Sequence, residues 1–265
     1  MKKTIILIFI VFSLLSCTKT IVIDVSNTPS KYVIEGLINN KGENFISISK
    51  SINFYDSNIY PFVSNAIITV EDPNNTVFVF NETQIKGMYY NNQLIAKPLQ
   101  TYKLSVKIGT EIFFAYSTMP AAVSLDSIIY NSVPFRGEQS IIVSPYYKDP
   151  VAIGNNYQFI LKKNNYTFPN IFVWDDNINN GGISTRPLIS QNRSSNDDDS
   201  TQIIKGDLIT IEMRNIDRNV YKYLYTLQQN NSNQIAPADP SSNFGGNVLG
   251  YFSAFCVDRK TILIK

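Results

Sequence analysis

Apolar and polar residues alternate along much of this chain. Between Thr101 and Ile108, Tyr102, Leu104, Val106 and Ile108 interleave with Lys103, Ser105 and Lys107. A period of two puts one face in a core and the other in water, as in a half-buried strand. Tyr32 to Ile38, Phe45 to Lys50, Ala66 to Val70, Thr76 to Phe80 and Ile112 to Thr118 are further predicted strands. Asp72-Pro73-Asn74-Asn75 lies between two of them. Proline presets φ there and asparagine tolerates the left-handed region, so the stretch predicts a turn. Short strands at this spacing predict a sandwich of immunoglobulin-like or transthyretin-like kind over residues 31–120.

Met119-Pro120-Ala121-Ala122 interrupts the pattern, and a domain boundary is expected there. A second strand-rich region, 121–265, follows. Its predicted strands are Ser127 to Tyr130, Ser140 to Val143, Asn156 to Lys162, Asn170 to Trp174, Asp207 to Arg214 and Val248 to Val257, with Thr261 to Ile264 closing the sheet. One segment, near 217–229, has helical spacing. Asp217 suits an N-cap, and Val220, Tyr223, Leu224 and Leu227 fall at i, i+3, i+4 and i+7, leaving Lys222 and Gln229 on the opposite face. The expected fold is mainly β, with two β-sandwich-like domains. The N-terminal one is immunoglobulin- or transthyretin-like, and the C-terminal one is an antiparallel β domain with one helix.

The start of the chain has a different pattern. Met1-Lys2-Lys3 precedes a nearly unbroken apolar run from Thr4 to Leu15. That is the build of a secretory signal, and it is too short for a membrane-spanning helix. Leu14-Leu15-Ser16-Cys17 resembles the bacterial lipobox, in which a small residue precedes an invariant cysteine. The resemblance implies cleavage after residue 16 and lipid attachment at Cys17. Residues 17–30, with Ser26-Asn27-Thr28-Pro29-Ser30, then read as a lipidated tether. In the lipobox pathway the thiol receives a diacylglycerol and the new amine is acylated, and three acyl chains exceed the two signals that make anchoring stable. A soluble body tied to a membrane by lipid is expected. The start resembles that of Gram-negative lipoproteins, in which an aspartate after the cysteine favours the inner membrane. With Thr18 in that place the resemblance implies the outer membrane, and Thr18-Lys19-Thr20 leaves the face open.

Composition narrows the chemistry. With 44% hydrophobic and 12% aromatic residues the chain can bury a substantial core. A net charge of +2 gives no footprint for nucleic acid. The absence of histidine excludes Ser-His-Asp and Cys-His nucleophiles and imidazole-ligated metals. If Cys17 is lipidated, Cys256 has no disulfide partner, and its setting in Phe252-Ser253-Ala254-Phe255-Cys256 reads as a buried thiol on the face of Phe252 and Ala254. No cofactor, metal or catalytic residue is expected.

Three stretches stand out as candidate surfaces. Asp197-Asp198-Asp199 is the densest acidic run, but it lacks the spaced ligands of a calcium loop and reads as a solvated loop. Trp174-Asp175-Asp176-Asn177, before Gly181-Gly182, pairs an indole with carboxylates, as sugar sites do, and equally suits a strand end entering a turn. The long Gln228–Asn247 loop, rich in Asn, Ser, Pro and Gly, suits either a binding surface or a cover for a sheet edge. Trp174, Asp175, Asp176, Asn243 and Phe244 are therefore the candidate binding residues.

Several motifs in order along the chain resemble one family. They are the lipobox, Tyr32-Val33-Ile34-Glu35-Gly36, Ser117-Thr118-Met119-Pro120, Asp126-Ser127-Ile128, Lys205-Gly206-Asp207, Ile216-Asp217, Asp239-Pro240-Ser241-Ser242-Asn243 with Gly245-Gly246, and Leu249-Gly250-Tyr251-Phe252. The chain resembles the Bacteroidota outer-membrane lipoproteins grouped as domain of unknown function 4249. Members of that family are often encoded beside TonB-dependent outer-membrane transporters, so the resemblance implies an accessory role in uptake and no known active site. The leading expectation is an outer-membrane-anchored, non-enzymatic binding or accessory subunit. A structural or adhesive envelope protein is the alternative, and a carboxylate-based glycan hydrolase comes third.

Overall fold

The computed structural model describes residues 29–53, 59–135, 138–177, 180–189, 202–230 and 238–265. The protein is mainly β. Its strands are β1 (Tyr32–Asn39), β2 (Asn44–Lys50), β3 (Ile67–Glu71), β4 (Val77–Glu82), β5 (Met88–Asn91), β6 (Thr101–Ile108), β7 (Glu111–Thr118), β8 (Ser127–Phe135), β9 (Glu138–Lys148), β10 (Asn156–Lys163), β11 (Tyr166–Thr167), β12 (Phe172–Asp175), β13 (Ile183–Ser184), β14 (Leu208–Asn215) and β15 (Leu249–Leu263). One helix, α1 (Arg218–Asn230), lies among the described residues. The long sheet runs β11-β10-β14-β15-β1-β2-β5-β4-β3-β6-β7, with β12 paired to β10. A small antiparallel sheet runs β13-β9-β8.

The long sheet is mixed because of one pairing. β1 runs parallel to β15, with Gly36 opposite Phe252 and Ile38 opposite Ala254. Gly250 sits at the start of this pair with φ +99°, and a Cβ there would lie 2.0 Å from the Ile34 carbonyl oxygen. Only glycine can occupy that position. Gly36 serves a second close approach, since a Cβ on it would meet Leu104 and Phe252 at 2.9 Å.

The alternation seen in the sequence sorts the side chains of the sheet. On the inner face, Ile34, Ile38, Ile46 and Ile48 meet Ile68, Leu104 and Val106 from the far part of the same sheet, which folds over them. Phe244, Val248, Phe252, Ala254 and Cys256 complete this cluster, so it draws on both ends of the chain. Further along the inner face, Tyr157, Phe159, Leu161, Ile209, Ile211 and Met213 pack with Ile128, Val143 and Tyr147 of the small sheet. On the outer face, Val220, Tyr223 and Leu224 of α1 pack on Tyr251, Phe255 and Val257 of β15. The expected boundary near Met119-Pro120 falls where β7 ends and the first inner cluster gives way to the second. The strands on its two sides share one hydrogen-bonded path through β15.

One expected element differs. Thr261–Ile264 is not a separate closing strand. β15 continues from Leu249 through Asp258-Arg259-Lys260 and lies in the middle of the sheet, between β14 and β1. Two charges of the polar triplet, those of Asp258 and Arg259, have partners, and Lys260 is exposed. Asp258 accepts the Leu125 N–H at 2.9 Å, and Arg259 donates to buried Glu212 at 2.5 Å and to Glu43 at 2.8 Å. Arg214 holds the other Glu212 oxygen at 2.6 Å. Burial raises the Glu212 carboxyl, but the two guanidinium groups outweigh it and hold it below the usual range.

Candidate functional site: a groove along the helix

The helix is fixed at its first turn. Asp217 Oδ1 accepts the N–H groups of Asn219 and Val220 at 2.9 and 3.0 Å, which satisfies donors a helix start leaves free. Its Oδ2 accepts the Ser117 hydroxyl. Ser117 Oγ in turn accepts the Ala254 N–H at 2.8 Å. One serine at the end of β7 thus joins the helix cap to β15. Burial pushes the Asp217 carboxyl above its ordinary value despite these donors. At the other end of α1, Gln228 donates to the Ile171 carbonyl at 2.7 Å.

Seated this way, α1 turns its polar face into a groove of about 450 Å³. Arg218, Tyr221, Lys222, Tyr225 and Thr226 line it from the helix, Asp175 from the end of β12, and Ser241 from the segment before β15. Spacings of three and four residues bring Arg218, Tyr221 and Tyr225 onto one flank. The Arg218 guanidinium lies 5.2 Å from the Tyr221 ring centroid, and the Tyr221 and Tyr225 rings stack at 5.6 Å. Arg218 also reaches Asp175 at 3.5 Å and Asn156 at 3.3 Å. Tyr221 is buried, and burial together with the nearby Asp175 charge pushes its hydroxyl up to about 12. It is therefore a neutral donor at physiological pH. Tyr225 is 43% exposed and presents its ring to the groove. This arrangement offers stacking faces, hydroxyl groups, one carboxylate and two cations, which suits holding a polar ligand.

The residues singled out from the sequence separate in space. Asp175 is the one that reaches the groove. Trp174 is only 6% exposed. It stacks on Phe159 at 4.3 Å, carries Arg186 over its ring at 5.1 Å, and donates its indole N–H to the Tyr147 hydroxyl at 2.9 Å. Its rings are spent inside the core. Asp176 is buried and accepts the Asn155 N–H at 2.9 Å, which pins a turn. The nearby buried Asp149 accepts the Tyr157 hydroxyl and the Gly181 N–H. Asn243 accepts the Phe252 N–H and donates to the carbonyls of Phe252 and Tyr116. Phe244 is buried in the first inner cluster and bridges to Ala115, and Gly245 donates to the Phe114 carbonyl. Residues 243–245 thus span the gap between β7 and β15, which is the edge-covering role.

The sequence reading missed Arg218, Tyr221, Tyr225 and Ser241. The tyrosines at i and i+4, three residues after an arginine and off the apolar stripe, were the available signal. Cys256 is a free, buried thiol that donates to the Pro120 carbonyl at 3.4 Å, and burial pushes it up to about 11. Cys17, Asp197-Asp198-Asp199 and residues 231–237 of the long loop lie outside the described residues. Among the described residues no helix is long and apolar enough to cross a membrane, and no group of three acidic or thiol side chains is placed to hold a metal ion.

No curated protein matches this chain. A family model described as Domain of unknown function (DUF4249) matches residues 18–261, nearly the whole chain. The order of short motifs, from Tyr32-Val33-Ile34-Glu35-Gly36 to Leu249-Gly250-Tyr251-Phe252, therefore reflects common descent, and the protein belongs to the DUF4249 family.

Proposed function

We propose that this protein is a lipoprotein anchored at Cys17 in the outer membrane, where it acts as a non-enzymatic binding or accessory subunit of a TonB-dependent uptake system. The observation that carries the binding role is the groove, where Arg218, Tyr221 and Tyr225 form a stacked column beside Asp175. A further support is the occupation of the buried acids. Asp149, Asp176, Glu212 and Asp217 each hold a turn, a cap or an arginine. Such bonds stabilise a scaffold. The lipid anchor is supported by the signal-like start and the lipobox resemblance.

The test is a native pull-down with a tag beyond Lys265 from membranes solubilised in mild detergent. A stoichiometric transporter is expected with the wild type, and at least about tenfold less with Tyr225→Ala at unchanged protein level. Recovery of the protein alone, from membranes that contain the transporter, would overturn the accessory role. Mass measurement of the same wild-type sample should show an acylated Cys17 as the first residue.

A further inference from the structure

The ends of seven strands, β1 to β7, gather at one rim of the long sheet. The start of β1 pairs with the end of β2, as Tyr32 opposite Lys50. The start of β5 pairs with β2 and with the end of β4. The start of β3 pairs with the end of β6, as Ile67 opposite Lys107, and the β6–β7 turn follows at once. The segment after residue 59 crosses this rim and docks on β2, through Lys50 N–H to the Pro61 carbonyl at 2.9 Å and Val63 N–H to the Ile48 carbonyl at 3.0 Å. Large apolar side chains stand in water around it. Phe62 is 61% exposed, and Tyr60, Ile67, Ile85 and Ile112 are exposed as well. Each belongs to a strand end or turn of the same rim, and none is a member of the core cluster beneath.

The rim also carries positive charge. Lys50, Lys86 and Lys107 are exposed there, and Lys31 is half-buried beside them. Among the described residues the nearby acids are Glu82, which accepts the N–H groups of Gly87 and Asn65, and Glu111 at the β6–β7 turn, so the lysines outnumber them. Aromatic and branched side chains ringed by lysine favour the boundary between acyl chains and headgroups, and lysine draws them to anionic lipid. Chain connectivity points to the same place. The body begins at Lys31, on this rim, and about 14 residues separate it from Cys17, a reach of at most roughly 50 Å.

We propose that this rim, through Phe62, Tyr60, Ile85, Ile67 and Ile112 with their flanking lysines, seats the body on the surface of the lipid bilayer. The contact orients the protein, with the tether holding the rim close and the rim side chains fixing the tilt. The groove along α1 is then presented by a body that stands on the membrane rather than one that tumbles from a leash. This rests on the lipid-anchored reading above.

The test places a fluorescent reporter on the rim. Processed protein carrying Phe62→Trp is reconstituted into vesicles of phosphatidylethanolamine and phosphatidylglycerol, with and without brominated acyl chains. Val77→Trp, at a residue 56% exposed on the opposite end of the same wall, is the control. Buried Trp174 contributes the same background to both. Quenching at position 62 is expected to exceed that at 77 by at least about twofold, and Ile85→Trp is expected to behave like Phe62→Trp if the first substitution harms folding. Equal quenching at both ends, or none at either rim position, overturns the proposal. Crosslinking of position 62 to a polypeptide without lipid quenching also overturns it and assigns the rim to a protein partner. Flotation of the same samples reads the anchor separately: a protein that floats without rim quenching keeps its anchor and loses the seated rim.

Discussion

Around Gly36 the inner face is packed mainly with isoleucine, valine and leucine, with Phe252 beside them. Around Trp174 it is packed with rings. In the first region Ile34, Ile38, Ile46 and Ile48 close on Ile68, Leu104 and Val106, and the sheet folds back so closely that a Cβ on Gly36 would meet Leu104 and Phe252 at 2.9 Å. In the second, Tyr147, Tyr157, Phe159 and Trp174 contact one another at 4.3 to 6.4 Å, and their polar ends are tied together and to Asp149. Aliphatic packing is non-directional and indifferent to pH. Hydrogen-bonded rings and buried acids are directional and titrate. One continuous sheet therefore combines a stretch stabilised by shape with a stretch stabilised by charge and hydrogen bonding. The groove lies near the second, where Asp175 ends β12 and α1 lies across the outer face.

The comparison can be broken most severely at the strand that joins the two regions. Gly250→Ala would drive a methyl into the Ile34 carbonyl and force a strained φ. A loss of more than about 4 kcal/mol is expected, enough to leave little folded protein. Urea unfolding followed by circular dichroism measures it, and a loss under about 1 kcal/mol would mean the parallel pair is not the junction described. Ile46→Ala, in the aliphatic region, should cost about 3 kcal/mol, with the same value at pH 4 and pH 8 because no titrating group is disturbed.

Glu212→Ala should also cost about 3 kcal/mol at neutral pH, since it strips Arg214 and Arg259 of a shared buried partner. Here the cost depends on pH. Glu212 is held below its unfolded value, so its contribution is full above the ordinary glutamate range and is lost as pH falls through the lowered native value. The penalty of the substitution should therefore shrink in acid. Asp217 has the opposite sign. Its native value is raised, so its contribution is greatest in acid and is lost as pH rises from the ordinary aspartate range through the raised native value. Asp217→Asn keeps a capping oxygen and removes that fall. A change within about 1 kcal/mol is expected, with the variant gaining on the wild type between pH 3 and pH 7. Unfolding midpoints at a series of pH values separate the two acids. The mildest change is Tyr225→Ala, expected to shift stability by less than about 0.5 kcal/mol while removing groove binding.

Much of this protein follows from local pattern. The strict alternation of β6 gives buried Tyr102, Leu104 and Val106, and the spacing of Val220, Tyr223, Leu224 and Leu227 gives a helix starting one residue after its Asp217 cap. Cys256 lies with Phe252 and Ala254 in the core, as a period of two requires. The short β5 was invisible because four residues carry too little periodicity. The continuation of β15 was invisible because Asp258-Arg259-Lys260 looks like a break until Leu125, Glu43 and Glu212 supply its partners.

The candidate site was less legible. Residue types alone drew attention to Trp174, Asp176, Asn243 and Phe244, whose side chains serve the core, a turn and a sheet edge. Only Asp175 of that set meets the groove. The sequence by itself determined most of the longer elements, because strand and helix periodicity are local properties of the chain. It also determined the inward or outward sense of most side chains. Tertiary structure alone decided that the first strand lies parallel to the last, that Ser117 joins a helix cap to β15, and that an arginine and two tyrosines of α1 face an aspartate more than 40 residues earlier. Those outcomes depend on which surfaces meet, and contacts at that separation leave no periodic trace in the chain.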